Sequence, residues 1–204
     1  MQDVKSLTDA GDFGSFGRYE EVPVSEMAPE MKGAYDYTMQ LRGIVPGPHK
    51  IWLANATLSR TIVPIGAYYQ KQSTLTKAEI EIVTVLTNAR WHSAYGTYEH
   101  EKIADKLAHI PAETTEHLIV GLPTEFSDTR QQVVYEIASA LVQPRIVPVG
   151  MYKRAKEALG DAGLVDVAVL IGWFTMVSMT LNAYDVPANA TGLDQQRFLG
   201  TRQR

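Results

Sequence analysis

Glu81, Ser93 and His100 are the residues whose types and spacing suit proton transfer. Ser93, Gly96 and His100 fall at i, i+3 and i+7, which is one face of a helix. His92, Gly96 and His100 fall at i, i+4 and i+8 on an overlapping stripe. Glycine in the middle of both sets costs a helix about 1 kcal/mol relative to alanine, and is expected to leave a gap between two imidazoles, with Tyr95 beside it. Glu81 reaches the same face if its helix packs antiparallel to the next. A carboxylate and an imidazole in an apolar pocket acquire shifted pKa values, as acid–base chemistry at neutral pH requires. The competing reading is structural: a core histidine bonded to a neighbour, with Glu81 paired to Arg90. One metal ion does not fit, because His92 and His100 lie about 12 Å apart along a helix, and His109 lies farther. The serine, histidine and glutamate also make a hydrolase inventory, but no strand–turn–helix context exposes a nucleophilic serine.

Composition narrows the chemistry further. The chain has 204 residues, no cysteine and a net charge of -4. Without cysteine there is no disulfide, thiolate metal site or dithiol redox chemistry. The charge gives no reason to expect nucleic acid or an anionic membrane as partner. The segment Met1–Gly17 lacks the apolar core of a signal peptide, and the apolar run Val165–Val177 carries Asp166 and is short for a bilayer span. A cytoplasmic protein is expected, with the sequon at Asn189 accidental.

The elements that must hold these residues read as helices throughout. Ser25 or Pro29 starts the first, with Met31, Ala34, Tyr35, Thr38 and Leu41 at helical spacing, and two glycines and two prolines over Gly43–Pro48 end it. A short helix follows from His49, then one over Leu58–Tyr69 with Ile62, Ile65 and Tyr69 on one face and a kink at Pro64. Thr76 and Glu79 form a capping box for a helix reaching Asn88 or Arg90. A second helix is expected over His92–Ala108, a shorter one from Pro111 to Gly121, and another from Ser127 or Asp128 to Leu141. Tyr152–Leu159 is helical until Gly160, and Leu164–Leu181 is the most apolar helix and the expected buried centre. No β-alternation or Gly-rich phosphate loop interrupts this. The expected architecture is all-α, with the hairpin 79–108 packed against 164–181. Residues 1–20 read as an arm, 21–190 as a single domain and 191–204 as a polar tail.

The segment Ser93-Ala-Tyr-Gly-Thr-Tyr-Glu-His100, with Glu81 upstream, resembles the signature of the carboxymuconolactone decarboxylase family, of alkylhydroperoxidase-D-like fold. In the peroxidase branch a Glu precedes a Cys-x-x-Cys pair and a His. Glu81 and His100 stand at the matching positions, and Ser93 and Gly96 stand where the cysteines would be. Cysteine-free members read like Ser-x-Tyr-Glu-Trp-x-x-His, from which Gly96, Thr97 and His92 depart. The likeness extends over Gly47–Trp52, Leu75–Glu81, the start of the helix at 127, Leu170–Phe174 and Met179–Pro187. It implies a homo-oligomer, trimer or hexamer, and a pocket near Glu81 and His100. The expected activity is a cofactor-independent lyase, or an isomerase, acting on a small aromatic-derived or lactone-like carbonyl compound. His100 and Glu81 would carry the proton, with His92 or Tyr95 as second donor. Ser93, Gly96, Trp91, Tyr69 and Trp52 would face the substrate. A non-catalytic binding or assembly protein on the same fold is the alternative, and a thiol peroxidase has no thiol to work with.

Overall fold

Thr76 accepts the Glu79 amide while the Glu79 carboxylate accepts the Thr76 amide, closing the expected capping box. The helix it opens is the axis of the fold. A computed structural model describes residues 14–193. Among them are eight α-helices and no strand: α1 Pro29–Arg42, α2 Gly47–Trp52, α3 Ala56–Lys71, α4 Lys77–Arg90, α5 Ala94–Lys106, α6 Ala112–Val120, α7 Thr129–Leu141 and α8 Val149–Ala183. Residues 1–13 of the arm and 194–204 of the tail lie outside the described residues.

Every residue of α4 from Glu81 to Asn88 is buried, packed between α5, α6, α7 and α8. The most enclosed helix is therefore α4, not the more apolar α8 as expected. The reason is visible in its composition. Glu79, Glu81, Thr84, Thr87 and Asn88 are all buried, and these polar groups lower its hydropathy without moving it outward. Helix α8 keeps an outward stripe of Val165, Val169 and Met179, each about half exposed.

Gly160 sits at φ 69° and ψ -179°, so α8 is two helical stretches joined at the glycine expected to stop the first. Left-handed φ is open to glycine at little cost. By length and apolar composition α8 suffices to cross a bilayer, unlike its longest uninterrupted apolar run. Asp166 of α8 takes hydrogen bonds from Tyr68, Ser73 and Thr74, which ties the α3–α4 loop to this helix. Arg130 of α7 donates to Glu79 and to the Ala158 carbonyl, tying α7 to the start of α4.

Three local expectations are corrected. Helix α5 begins at Ala94, because His92 takes φ 51° in the turn after α4. Ile65 is exposed, so only Ile62 and Tyr69 of that set face inward. Phe16, in the segment read as an arm, is buried and meets the edge of the Tyr95 ring.

Candidate functional site

Helices α4 and α5 run antiparallel, so the stripe Glu81, Thr84 and Asn88 faces the stripe His100, Gly96 and Ser93. At one end, His100 Nδ1 lies 2.7 Å from Glu81 Oε2, and Lys77 Nζ lies 2.7 Å from Glu81 Oε1. Glu81 is fully buried, whereas His100 keeps a partly open edge and Lys77 is half exposed. The expected alternative partner, Arg90, donates instead to the Val142 carbonyl. Burial opposes ionisation of Glu81, yet the interactions with His100 and Lys77 outweigh it and hold the carboxyl below its ordinary value. Phe174 of α8 meets the His100 ring edge-on with centroids 4.9 Å apart, which fixes the imidazole plane. With Nδ1 turned to Glu81, Nε2 is the nitrogen left for a ligand.

At the other end of the stripe, Ser178 of α8 donates to Asn88 Oδ1. Trp91 and Asn182 pin the α4–α5 turn to α8, through Trp91 Nε1 to Thr175 and Asn182 Nδ2 to the Trp91 carbonyl. Along the stripe from Thr84 to this end, Thr84 Oγ1, Asn88 Nδ2 and Ser93 Oγ are buried with no hydrogen-bond partner. The gap expected at Gly96 is absent. A Cβ there would lie 2.9 Å from Ser93 Oγ and 3.0 Å from the Asn88 carboxamide, so these side chains occupy the space.

The remaining candidates lie elsewhere. His92, Ser93, Thr97 and Tyr98 line a cavity of about 320 Å³ on the α6 side. A second, of about 290 Å³, shares His92 and runs toward Tyr135 and Gln143. The linings of these two cavities do not include Glu81 or His100. Tyr95 packs on Phe16 and Gly47, and burial pushes its phenol up to about 12. Tyr69 donates to the Asp166 carbonyl, and Trp52 donates to Thr180. The spacing argument missed Lys77, Asn88, Phe174 and Ser178. Lys77 and Asn88 were within reach of it, at i-4 and i+7 from Glu81. The two α8 residues carried no local signal.

No family model matches the chain, and no curated protein matches it. Two solved structures of similar fold are of the debrominase Bmp8. One is a cysteine-to-alanine variant in complex with 2,3,4-tribromopyrrole, at TM-score 0.63 and 12% identity, covering 80% of this chain and 87% of that one. The other is the apo form, at TM-score 0.62 and 12% identity, covering 80% and 88%. At that identity the likeness concerns the fold.

Proposed function

We propose that the protein is a small-molecule-converting enzyme in which Glu81 and His100 form a proton-transfer pair. The finer reading is a cofactor-independent lyase of the carboxymuconolactone decarboxylase kind. The observation that carries it is the 2.7 Å contact between a partly open imidazole and a fully buried carboxylate. Glu81 fixes the ring through Nδ1, and Nε2 exchanges the proton with substrate. In a decarboxylation the C–C bond breaks, its electron pair stays on a carbon conjugated to a carbonyl, and carbon dioxide leaves. Protonated His100 then delivers a proton to that carbon. The similar fold of a debrominase, which is an enzyme with a small-molecule ligand, supports the general reading and not the particular reaction.

A binding protein without chemistry remains the second reading, favoured by one observation. Both Glu81 carboxylate oxygens are already taken, one by Lys77 and one by His100, as in a structural ion pair. A homo-oligomer is part of the proposal, with the outward Val165, Val169 and Met179 stripe covered by another copy.

The test is a thermal-shift screen with aromatic acids and lactones, followed by product analysis with wild type and His100→Ala. Product from wild type and none from a folded His100→Ala supports the lyase. Ligand returned unchanged supports the binder. Full turnover by His100→Ala removes the proposed role of the pair.

A further inference from the structure

Helices α6 and α7 both pack on α4 but hardly touch each other. The slot left between them is the cavity of about 290 Å³ that His92 borders. Its floor is Leu86 of α4, and one side is Leu118 and Ile119 of α6. The other side is α7: Tyr135, then Ser139 one turn on, then Gln143 just beyond the helix end. Tyr135 is a fixed wall, because the Phe126 ring packs on it with centroids 5.7 Å apart and its hydroxyl accepts the Thr124 amide. Arg90, the last residue of α4, bridges to the Val142 carbonyl at the end of α7 and holds the two helix ends together. Val120 and Leu122 at the rim are 68% and 50% exposed, so apolar surface continues to the mouth.

The slot is aliphatic on one side and polar on the other, and the polar side is open. Ser139 is half-buried and Gln143 is exposed. Among the described residues neither side chain takes part in a hydrogen bond or ion pair, so both are left to water or a ligand. A carboxamide presents a donor and an acceptor side by side, and it pairs best with a group that does the same. No carboxylate among the described residues lines the slot, so nothing there holds an ammonium group. Arg90 is exposed and its charge is screened by water, so an anion gains little from it.

We propose that this slot binds a flat, uncharged cyclic amide of one or two fused rings. The ring lies against Leu86, Leu118 and Ile119. Gln143 accepts the ring N–H through Oε1 and donates to the ring carbonyl through Nε2, with the Ser139 hydroxyl as a further donor. The volume, at the small end for ligand sites, suits a molecule of that size. Neither Glu81 nor His100 lines the slot, so the inference does not depend on the lyase reading.

The test uses 2-quinolone on the full chain, read by calorimetric titration and melting temperature. Quinoline, which lacks the amide edge, and 2-naphthoate, which replaces it with a charge, are the comparisons. Saturable binding of 2-quinolone is expected in wild type and equally in His100→Ala, with weaker binding of both comparison compounds. Gln143→Ala should bind 2-quinolone about tenfold more weakly, and Ser139→Ala less weakly than that. The proposal is overturned if wild type does not bind 2-quinolone, if Gln143→Ala binds it as wild type does, or if quinoline binds equally well. Tighter binding of 2-naphthoate overturns it too, by making Arg90 the anchor, and loss of binding in His100→Ala moves the ligand to the other site. Should Gln143→Ala fail to fold, nitrogen-15 NMR of wild type decides. Movement of the Gln143 side-chain amide signals with 2-quinolone supports the site, and unmoved signals overturn it.

Discussion

Asn88 and Gly96 face each other across the α4–α5 hairpin, so close that a methyl group on Gly96 would lie 3.0 Å from the Asn88 carboxamide. The same methyl would meet Ser93 Oγ at 2.9 Å. Both neighbours are fully buried, and Asn88 is held by Ser178, so neither can move aside freely. Gly96→Ala gains about 1 kcal/mol of helix propensity against an overpacking cost of about 1–3 kcal/mol. A net loss of stability is expected, measured as a lower melting temperature. Adding Ser93→Ala should recover part of it by removing the closest atom. A Gly96→Ala protein more stable than wild type would show that the hairpin is looser than this contact implies.

Glu81→Gln keeps the shape of the buried side chain and removes its charge. At neutral pH the substitution is expected to cost about 1–3 kcal/mol, from the lost charged hydrogen bonds to His100 and Lys77. The folded-state pKa of Glu81 lies below the ordinary glutamate value of 4.5, so its ionised form contributes stability above that value. The contribution is lost as pH falls through the lower, folded value. Denaturant unfolding of both proteins along a falling pH series should show the gap between them closing on the acid side. A gap constant across that range would contradict the assigned coupling.

Lys77→Met tests which of the two Glu81 partners matters more. Lys77 is half exposed and screened by water, so its removal should change global stability by less than about 1 kcal/mol. It should nevertheless raise the Glu81 pKa, because one of the two partners holding the carboxylate is gone. The acid-side loss of stability then begins at higher pH than in wild type. The midpoint of the pH–stability curve is the measurement, and an unshifted midpoint would assign the coupling to His100 alone.

How much of this was legible in the sequence follows from which physical signals are local. The Thr76–Glu79 box and the helix patterns gave the elements, and antiparallel pairing of α4 with α5 predicted the meeting of Glu81 with His100. The path of His92 was not legible. The end of α4 needs a left-handed residue, and a histidine takes that role at a cost of roughly 1–2 kcal/mol, which aims it away from His100. Gly96 looked like a gap because spacing cannot show that Asn88, eight residues earlier, fills it. The centrality of α4 was hidden by its own buried polar residues. Phe16 was hidden by the Gly, Ser and Asp around it, since only its contact with Tyr95 reveals a core role.

Asp166 makes the sharpest stability prediction. Its carboxylate accepts from the Tyr68 and Ser73 hydroxyls and from both the amide and hydroxyl of Thr74, closing the loop that leads into α4. Burial opposes its ionisation, but these donors outweigh burial and hold the pKa below the ordinary 3.8. Asp166→Ala leaves the donors facing a void and is expected to cost about 3 kcal/mol or more, roughly 6–12 °C in melting temperature for a chain of this size. Asp166→Asn keeps one acceptor oxygen for Thr74, and its amide can face a reoriented Tyr68 hydroxyl, so its loss should be clearly smaller. Equal losses for the two substitutions would mean that the charge, rather than the set of hydrogen bonds, secures the α3–α4 loop.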